Sequence, residues 1–280
     1  MSERMTAQKL KESKGQEPQA WLTAYDFTQA QLAEEAGIDV ILVGDSVGTT
    51  AMGYDSTLPV TLDDMVYHAR LVRRGAPKTM MVADLPYLSY TTPEQALQSA
   101  ARLVKEALAD AVKLEGGRRV LKQVDALILN DIPVVGHLGL TPQSVHAMGG
   151  YKVQARTHQA MADLVDDARA LHDHGVCSVV LEGIPDRVAA YVTEAIGVPT
   201  IGIGAGNRTD GQVLVFHDCL GLSSRYPKFA KPFANLRQII LDGMGAFVSE
   251  VRSRSFPDDS HSYHVTDKEW ETFWNRQPGR

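Results

Sequence analysis

The sequence predicts an α/β fold, a (β/α)8 TIM barrel, on three observations. Eight short apolar runs recur along the 280 residues, helix-like stretches separate most of them, and no linker or second composition interrupts the series before about Phe256. The runs are continuous rather than alternating, the pattern of strands buried on both faces of a parallel sheet. A single barrel takes ~250 residues, which suits this length. A doubly wound sheet is the alternative reading, and the interval between the seventh and eighth runs is too short for a full helix.

In chain order the runs are Trp21–Asp26, Val40–Asp45, Met80–Pro86, Ala111–Gly116, Pro133–Gly139, Ser178–Gly183, Pro199–Gly206 and Gln212–Asp218. Between them, Thr28–Glu35 leads to Gly37, a helix end. The string Thr61-Leu-Asp-Asp reads as a capping box before MVYHARLVRRG, whose Arg73 and Arg74 are expected in a solvated last turn that favours the helix dipole. Pro93 in TPEQ suits a first helical turn, where its missing N–H costs nothing, and Ala160–His174 supplies another helix before Gly175. The barrel is expected over residues 1–255, with a helical lead-in, followed by a tail over 256–280. In the tail Trp270 and Trp274 stand at i, i+4, so Asp267–Trp274 is expected as a short helix with one aromatic stripe.

Composition removes several function classes. A formal charge of −6 and a pI near 5.8 argue against a nucleic-acid binder, which needs a concentrated basic face. There is no run of 18 apolar residues to span a membrane. The N-terminal stretch carries charges and no apolar segment, and two cysteines are too few for a disulfide scaffold. Cys177 and Cys219 read as small core hydrophobes, and a cytoplasmic setting is expected.

In a barrel the residues that end the strands face the active site. Those positions hold Asp45, Asp84, Glu115, His137 and Glu182, with Lys113 two residues before Glu115. Four acids on one rim repel each other, so a positive group is expected among them, most simply a divalent cation. Oxygen ligands favour a hard ion, Mg²⁺ before Zn²⁺, and no HExxH or paired CxxC spacing suggests zinc. Each residue also has a plainer reading. Asp84 could form a turn before Leu85-Pro86, Lys113 could pair with Glu115, and His137 could be a satisfied rim histidine. The glycine-rich GIGAGN after the seventh run lacks the GxGxxG spacing and reads as a tight turn, with an anion site as the functional alternative. Ser46 has no GxSxG elbow around it and is no triad nucleophile.

The strings VGDSVGTTAMGYDSTLPVTLDDM, MMVADLPYLSY, AVKLEGG, GHLGLTPQSVHAMGGYKVQAR and IGIGAGNRTDGQVLVFHD resemble the 3-methyl-2-oxobutanoate (ketopantoate) hydroxymethyltransferase family, in the family's order and over about Leu22 to Phe256. The resemblance implies a barrel of the phosphoenolpyruvate/pyruvate type with Mg²⁺ as cofactor. It implies conversion of 3-methyl-2-oxobutanoate and 5,10-methylenetetrahydrofolate to 2-dehydropantoate, the first committed step of pantothenate synthesis. It further implies Asp45, Asp84 and Glu115 as metal ligands and Glu182 as the proton acceptor. Asp45, Ser46, Asp84, Lys113 and His137 would lie at the oxo acid, and the chain would assemble as a homodecamer. Gly183, the segment LSSRYPKFAKPF and the tail beyond about His264 depart from the family pattern. A lyase or mutase of the same barrel class, and a non-catalytic metabolite binder, are the other readings. Relatives of the first kind rely on a cysteine-bearing loop, which neither cysteine here occupies.

Overall fold

The computed structural model describes residues 4–277. Eight parallel strands close in sequence order into a barrel, β1 (Gln19–Thr23), β2 (Val40–Val43), β3 (Met80–Asp84), β4 (Ala111–Glu115), β5 (Val134–Gly139), β6 (Ser178–Glu182), β7 (Thr200–Ile203) and β8 (Gly211–Leu214), with β8 returning to pair with β1. All eight fall within or beside the predicted runs. Closure, rather than an open doubly wound sheet, leaves no edge strand to protect.

The helices follow from local signals. Before the barrel lies α1 (Ala7–Glu12), and α2 (Phe27–Glu35) starts at Asp26, whose carboxylate accepts from the Gln29 N–H at 2.8 Å. After the short α3 (Val47–Thr50), α4 (Leu62–Gly75) opens on the predicted capping box between Thr61 and Asp64. Next come α5 (Pro93–Ala107), with Pro93 in its first turn, α6 (Leu121–Ile128), α7 (Val145–Met148), α8 (His158–Asp173), α9 (Asp186–Ala195) and α10 (Phe216–Cys219). No helix separates β7 from β8, as the short interval requires.

Strand phase divides the core in two. Residues such as Ile41, Met81, Val112, Leu114 and Leu181 point outward into the layer beneath the helices. Their alternates, Trp21, Val40, Leu42, Met80, Val82, Ala111, Val135, Val180, Ile201 and Val213, fill the barrel, where Leu10 of α1 joins them. Continuing that inward phase one pleat at a time reaches Asp84 after Val82, Lys113 and Glu115 after Ala111, His137 after Val135 and Glu182 after Val180. The apolar fill of the barrel therefore passes upward directly into its polar mouth.

One expectation is corrected here. Arg73 is not solvated: its side chain is 11% exposed, pairs with Asp110 at 2.6 Å and donates to the carbonyls of Ala76 and Thr79. The turn after α4 folds back beneath β3 and β4, so the guanidinium meets carbonyls and a carboxylate in place of water. Arg74, beside it, is exposed as expected.

The chain divides into two compact units, the second beginning at Ala234. The sequence reading drew its boundary after residue 255; the division by contacts instead places α11 (Leu236–Ser253) in the second unit with α12 (Asp267–Trp274). Neither helix has a buried residue. In α12, Trp270 and Trp274 do stack, with ring centroids 5.6 Å apart, and Thr266 caps the helix.

Candidate active site

All seven sequence-predicted side chains, Asp45, Ser46, Asp84, Lys113, Glu115, His137 and Glu182, line one cavity of about 90 Å³ at the C-terminal mouth of the barrel. Its remaining walls are largely apolar, from Leu42, Val180, Ile203, Val213 and Val215. A larger cavity of about 560 Å³ contains none of the seven, and its Asp163 and Asp167 are already paired with Arg118.

The polar groups interlock. Asp84 Oδ2 accepts the backbone N–H of Asp45 at 3.0 Å, and its Oδ1 stands 3.1 Å from Lys113 Nζ. Lys113 thus pairs with Asp84, not Glu115. His137 Nδ1 lies 3.2 Å from Lys113 Nζ and 3.4 Å from Glu115 Oε1, while Nε2 lies 3.2 Å from Glu182 Oε2. An ammonium can only donate, so in neutral His137 Nδ1 accepts and the proton sits on Nε2; the charged ring carries a proton there as well. Either way Nε2 offers an N–H toward Glu182 and the cavity. Gly139 permits this approach of β5 to β6: its φ is +93°, and a Cβ there would stand 2.2 Å from the Glu182 carbonyl oxygen.

Burial and mutual repulsion strain the charges. The Asp45 carboxyl is pushed well above the usual carboxylate range by burial and by the charges of Asp84 and Glu115. Burial also raises Asp84, with Lys113 opposing. Burial alone would depress Lys113, but Asp84, Glu115 and Asp45 outweigh it and hold the ammonium charged. Burial and Lys113 press His137 down, yet Glu115 and Glu182 bring it up to about 9. Asp84 Oδ1 and His137 Nε2 are both buried without a well-formed hydrogen bond. Orphaned polar atoms of this kind mark a place where a ligand completes the set.

Sequence reasoning missed the neutral groups that brace these charges. Thr23 donates to Tyr25 Oη at 2.8 Å, which lies 2.8 Å from Ser46 Oγ. In the arrangement that satisfies every hydroxyl, Tyr25 donates to Ser46 and the Ser46 hydrogen is left for the cavity. Burial pushes the Tyr25 phenol up to about 12, so it remains a donor. Gln143 donates through Nε2 to Asp45 Oδ2 at 2.8 Å, and Tyr90 bonds Gln143 in turn. The TPQ string was visible in the sequence, but nothing in its spacing pointed to Asp45. The GIGAGN turn proves tight: Gly204 has φ +63°, and a Cβ there would stand 2.6 Å from the Phe229 ring.

A divalent cation fits this donor set in chemistry. Asp45 and Asp84 are oxygen donors in excess of positive charge, and one Asp84 oxygen lacks a hydrogen bond. Among the described residues no group of three or more His, Cys, Asp or Glu side chains is placed to hold a metal unaided. Water or substrate oxygens would therefore share the coordination, the usual habit of Mg²⁺.

A family model described as ketopantoate hydroxymethyltransferase matches residues 4–259. A 3-methyl-2-oxobutanoate hydroxymethyltransferase of Thermobifida fusca is 53% identical over 263 residues, covering 93% of this chain and 94% of that protein. The enzyme of the same name from Geobacillus kaustophilus is 46% identical over 265 residues, covering 94% and 95%. Among solved structures, 2,3-dimethylmalate lyase, a member of the PEP mutase/isocitrate lyase superfamily, superposes with a TM-score of 0.58 at 18% identity, over 95% of this chain and 93% of that one. That likeness carries the fold alone. With the family match spanning the whole barrel, the chain belongs to the ketopantoate hydroxymethyltransferase family of enzymes.

Proposed function

We propose that the chain transfers a hydroxymethyl group to C3 of 3-methyl-2-oxobutanoate. 5,10-Methylenetetrahydrofolate supplies the one-carbon unit, one water is consumed, and 2-dehydropantoate and tetrahydrofolate are released, as in the first committed step of pantothenate synthesis. The observation that carries this reading is the mixed lining of the cavity. Carboxylates, an ammonium and an imidazole share it with the apolar side chains of Leu42, Val180, Ile203 and Val213. Such a lining matches a small acid with an oxo–carboxylate head and a branched apolar tail.

The C3 hydrogen is weakly acidic, so charge that develops on the 2-oxo oxygen must be stabilised. Mg²⁺ held by Asp45 and Asp84, with Glu115 completing the shell directly or through water, would supply Lewis-acid polarisation of the oxo acid. Lys113, kept charged by its acidic neighbours, offsets negative charge beside the same oxygens. Ser46 and His137 Nε2 donate hydrogen bonds that orient the substrate. Glu182, at the end of β6 with 15% of its side chain exposed, takes the C3 proton. A positioned base of this kind contributes about 10²–10⁴-fold. The resulting carbon nucleophile attacks the folate's one-carbon unit in its iminium form. Water then replaces the folate nitrogen on that carbon, leaving the hydroxymethyl group and releasing tetrahydrofolate. The barrel's part is to align the reactants. The family resemblance supports a ten-chain assembly, and the scarcity of cysteines supports a cytoplasmic setting.

Proton NMR of 3-methyl-2-oxobutanoate in D₂O with protein and Mg²⁺ tests the reading. Loss of the C3 signal, with a hydroxymethyl signal only when the folate is present, is expected. An unchanged C3 signal with folded protein would overturn it.

A further inference from the structure

We infer that Gln143 is a positioning residue, its side-chain amide and backbone N–H holding the carboxylates of Asp45 and Glu115 in the orientation the reaction uses. This rests on the role given to Asp45 above. Gln143 lies on the single turn Pro142–Ser144 that follows β5, and it is 6% exposed. Its Nε2 donates to Asp45 Oδ2 at 2.8 Å and to the Leu85 carbonyl at 2.9 Å. Its backbone N–H donates to Glu115 Oε2 at 3.0 Å. Its Oε1 accepts from the Tyr90 hydroxyl at 2.5 Å, and the Tyr90 oxygen accepts the Glu115 N–H at 3.3 Å. One residue after β5 thereby ties together the chain at the ends of β2, β3 and β4.

The chemistry calls for a primary amide. It offers two donors and an acceptor on one planar group, and every one of them is engaged here. Glutamate at this position would turn only acceptors toward Asp45. Lysine or arginine would fasten Asp45 but cancel the negative charge that a cation needs. A neutral donor fixes one oxygen of Asp45 and leaves the charge in place. The constraint matters because Asp45 is buried beside Asp84 and Glu115, whose charges repel it. Without a donor on Oδ2, only the Lys113 charge opposes the repulsion that would turn the carboxylate away from them, and no hydrogen bond fixes its orientation. Support of this kind for a metal-binding carboxylate typically changes affinity or activity by 10–100-fold.

Gln143→Met separates positioning from packing, since methionine fills similar space with no hydrogen bond. We would compare it with Asp45→Asn and the unmodified protein for thermal midpoint, Mg²⁺ affinity by calorimetry and C3 deuterium exchange of the oxo acid. Expected for Gln143→Met is a folded protein whose Mg²⁺ affinity and exchange rate each fall ~10-fold or more. Tyr90→Phe, which removes the hydroxyl that donates to Oε1 and accepts the Glu115 N–H, should shift both in the same direction by less. Gln143→Met within twofold of the unmodified protein, beside an inactive Asp45→Asn, overturns the positioning role alone. Normal exchange in Asp45→Asn overturns instead the role of Asp45 on which it rests. Should Gln143→Met fail to fold, Tyr90→Phe decides, and behaviour identical to the unmodified protein counts against the inference.

Discussion

The two ends of the barrel use the same residue type to opposite effect. At the N-terminal end, Asp39, Asp110 and Asp210 each stand immediately before a strand, β2, β4 and β8. Each carboxylate fastens the start of the preceding strand, accepting the N–H of Ala20 at 2.8 Å, Met81 at 2.9 Å and Thr200 at 2.8 Å. Asp110 also takes Arg73, and Asp210 takes Lys14 and the Gly15 N–H. At the C-terminal end, Asp45, Asp84, Glu115 and Glu182 crowd around one ammonium and one imidazole, and two buried polar atoms go without a good hydrogen bond. Burial is deeper at the mouth but does not by itself explain the difference, since the Asp210 side chain is only 7% exposed and still acts as a fastener. Crowding of like charge does. A carboxylate that stands singly among N–H donors and cations acts as a fastener. The mouth acids, although Asp84 and Glu115 each accept a backbone N–H, share one ammonium and one imidazole and store unfavourable charge that a ligand can relieve.

The largest effect that could break this contrast is at Glu182. Glu182→Gln removes the proposed base while keeping the shape of the β6 end. Turnover should fall by roughly 10³-fold with oxo-acid binding and urea midpoint close to unchanged. Turnover near the native rate would take Glu182 out of the reaction; a collapsed midpoint would mean the mouth carries stability after all.

Much of the contrast was legible beforehand on one side only. The mouth acids could be read because continuous apolar runs located the strands, and a barrel puts strand ends at the active site. Helix α12 could be read from the spacing of Trp270 and Trp274. Gln143 could not, because it meets Asp45 across 98 residues of chain and a neutral loop residue carries no period. Tyr25 and Tyr90 were hidden for the same reason, each acting through a hydroxyl that meets residues remote in sequence, Ser46 for Tyr25 and Glu115 and Gln143 for Tyr90. Arg73 misled because helix position alone says solvent, while the chain that folds back past Ala76 to Thr79 says otherwise. The N-terminal fasteners also escaped notice, since an Asp before a strand looks like any other turn former.

The next effect sharpens the N-terminal side. Asp210→Ala strips partners from Lys14, the Gly15 N–H and the Thr200 N–H at once. Removing one member of a largely buried charged pair costs about 3 kcal/mol, which urea unfolding would show as a lower midpoint. Activity per folded molecule should be unaltered. A loss of activity without a loss of stability would place Asp210 in the site's mechanics and erase the distinction between the ends.

The smallest effect is the most diagnostic, because its sign is opposite. Asp45 in the folded chain titrates above the ordinary carboxylate range, chiefly through burial and then through Asp84 and Glu115. A raised acid pKa means the folded state binds the proton more tightly than the unfolded state does. The contribution of Asp45 to stability is therefore greatest below the ordinary carboxylate value and declines as pH rises through the interval up to the raised one. Near neutrality, above the value the unfolded chain would show, Asp45 is a net cost to the metal-free protein. Asp45→Asn removes the charge, and its amide oxygen can still accept from Gln143 Nε2. In the presence of a chelator, Asp45→Asn should unfold at higher urea than the unmodified chain at pH 7, a gain of roughly 1 kcal/mol that shrinks as pH is lowered. Adding Mg²⁺ should narrow or reverse the difference, since only the unmodified carboxylate gains from it. A variant less stable than the unmodified protein in chelator would show that Asp45, like Asp210, is satisfied by its surroundings, and that the mouth holds no stored repulsion for a ligand to release.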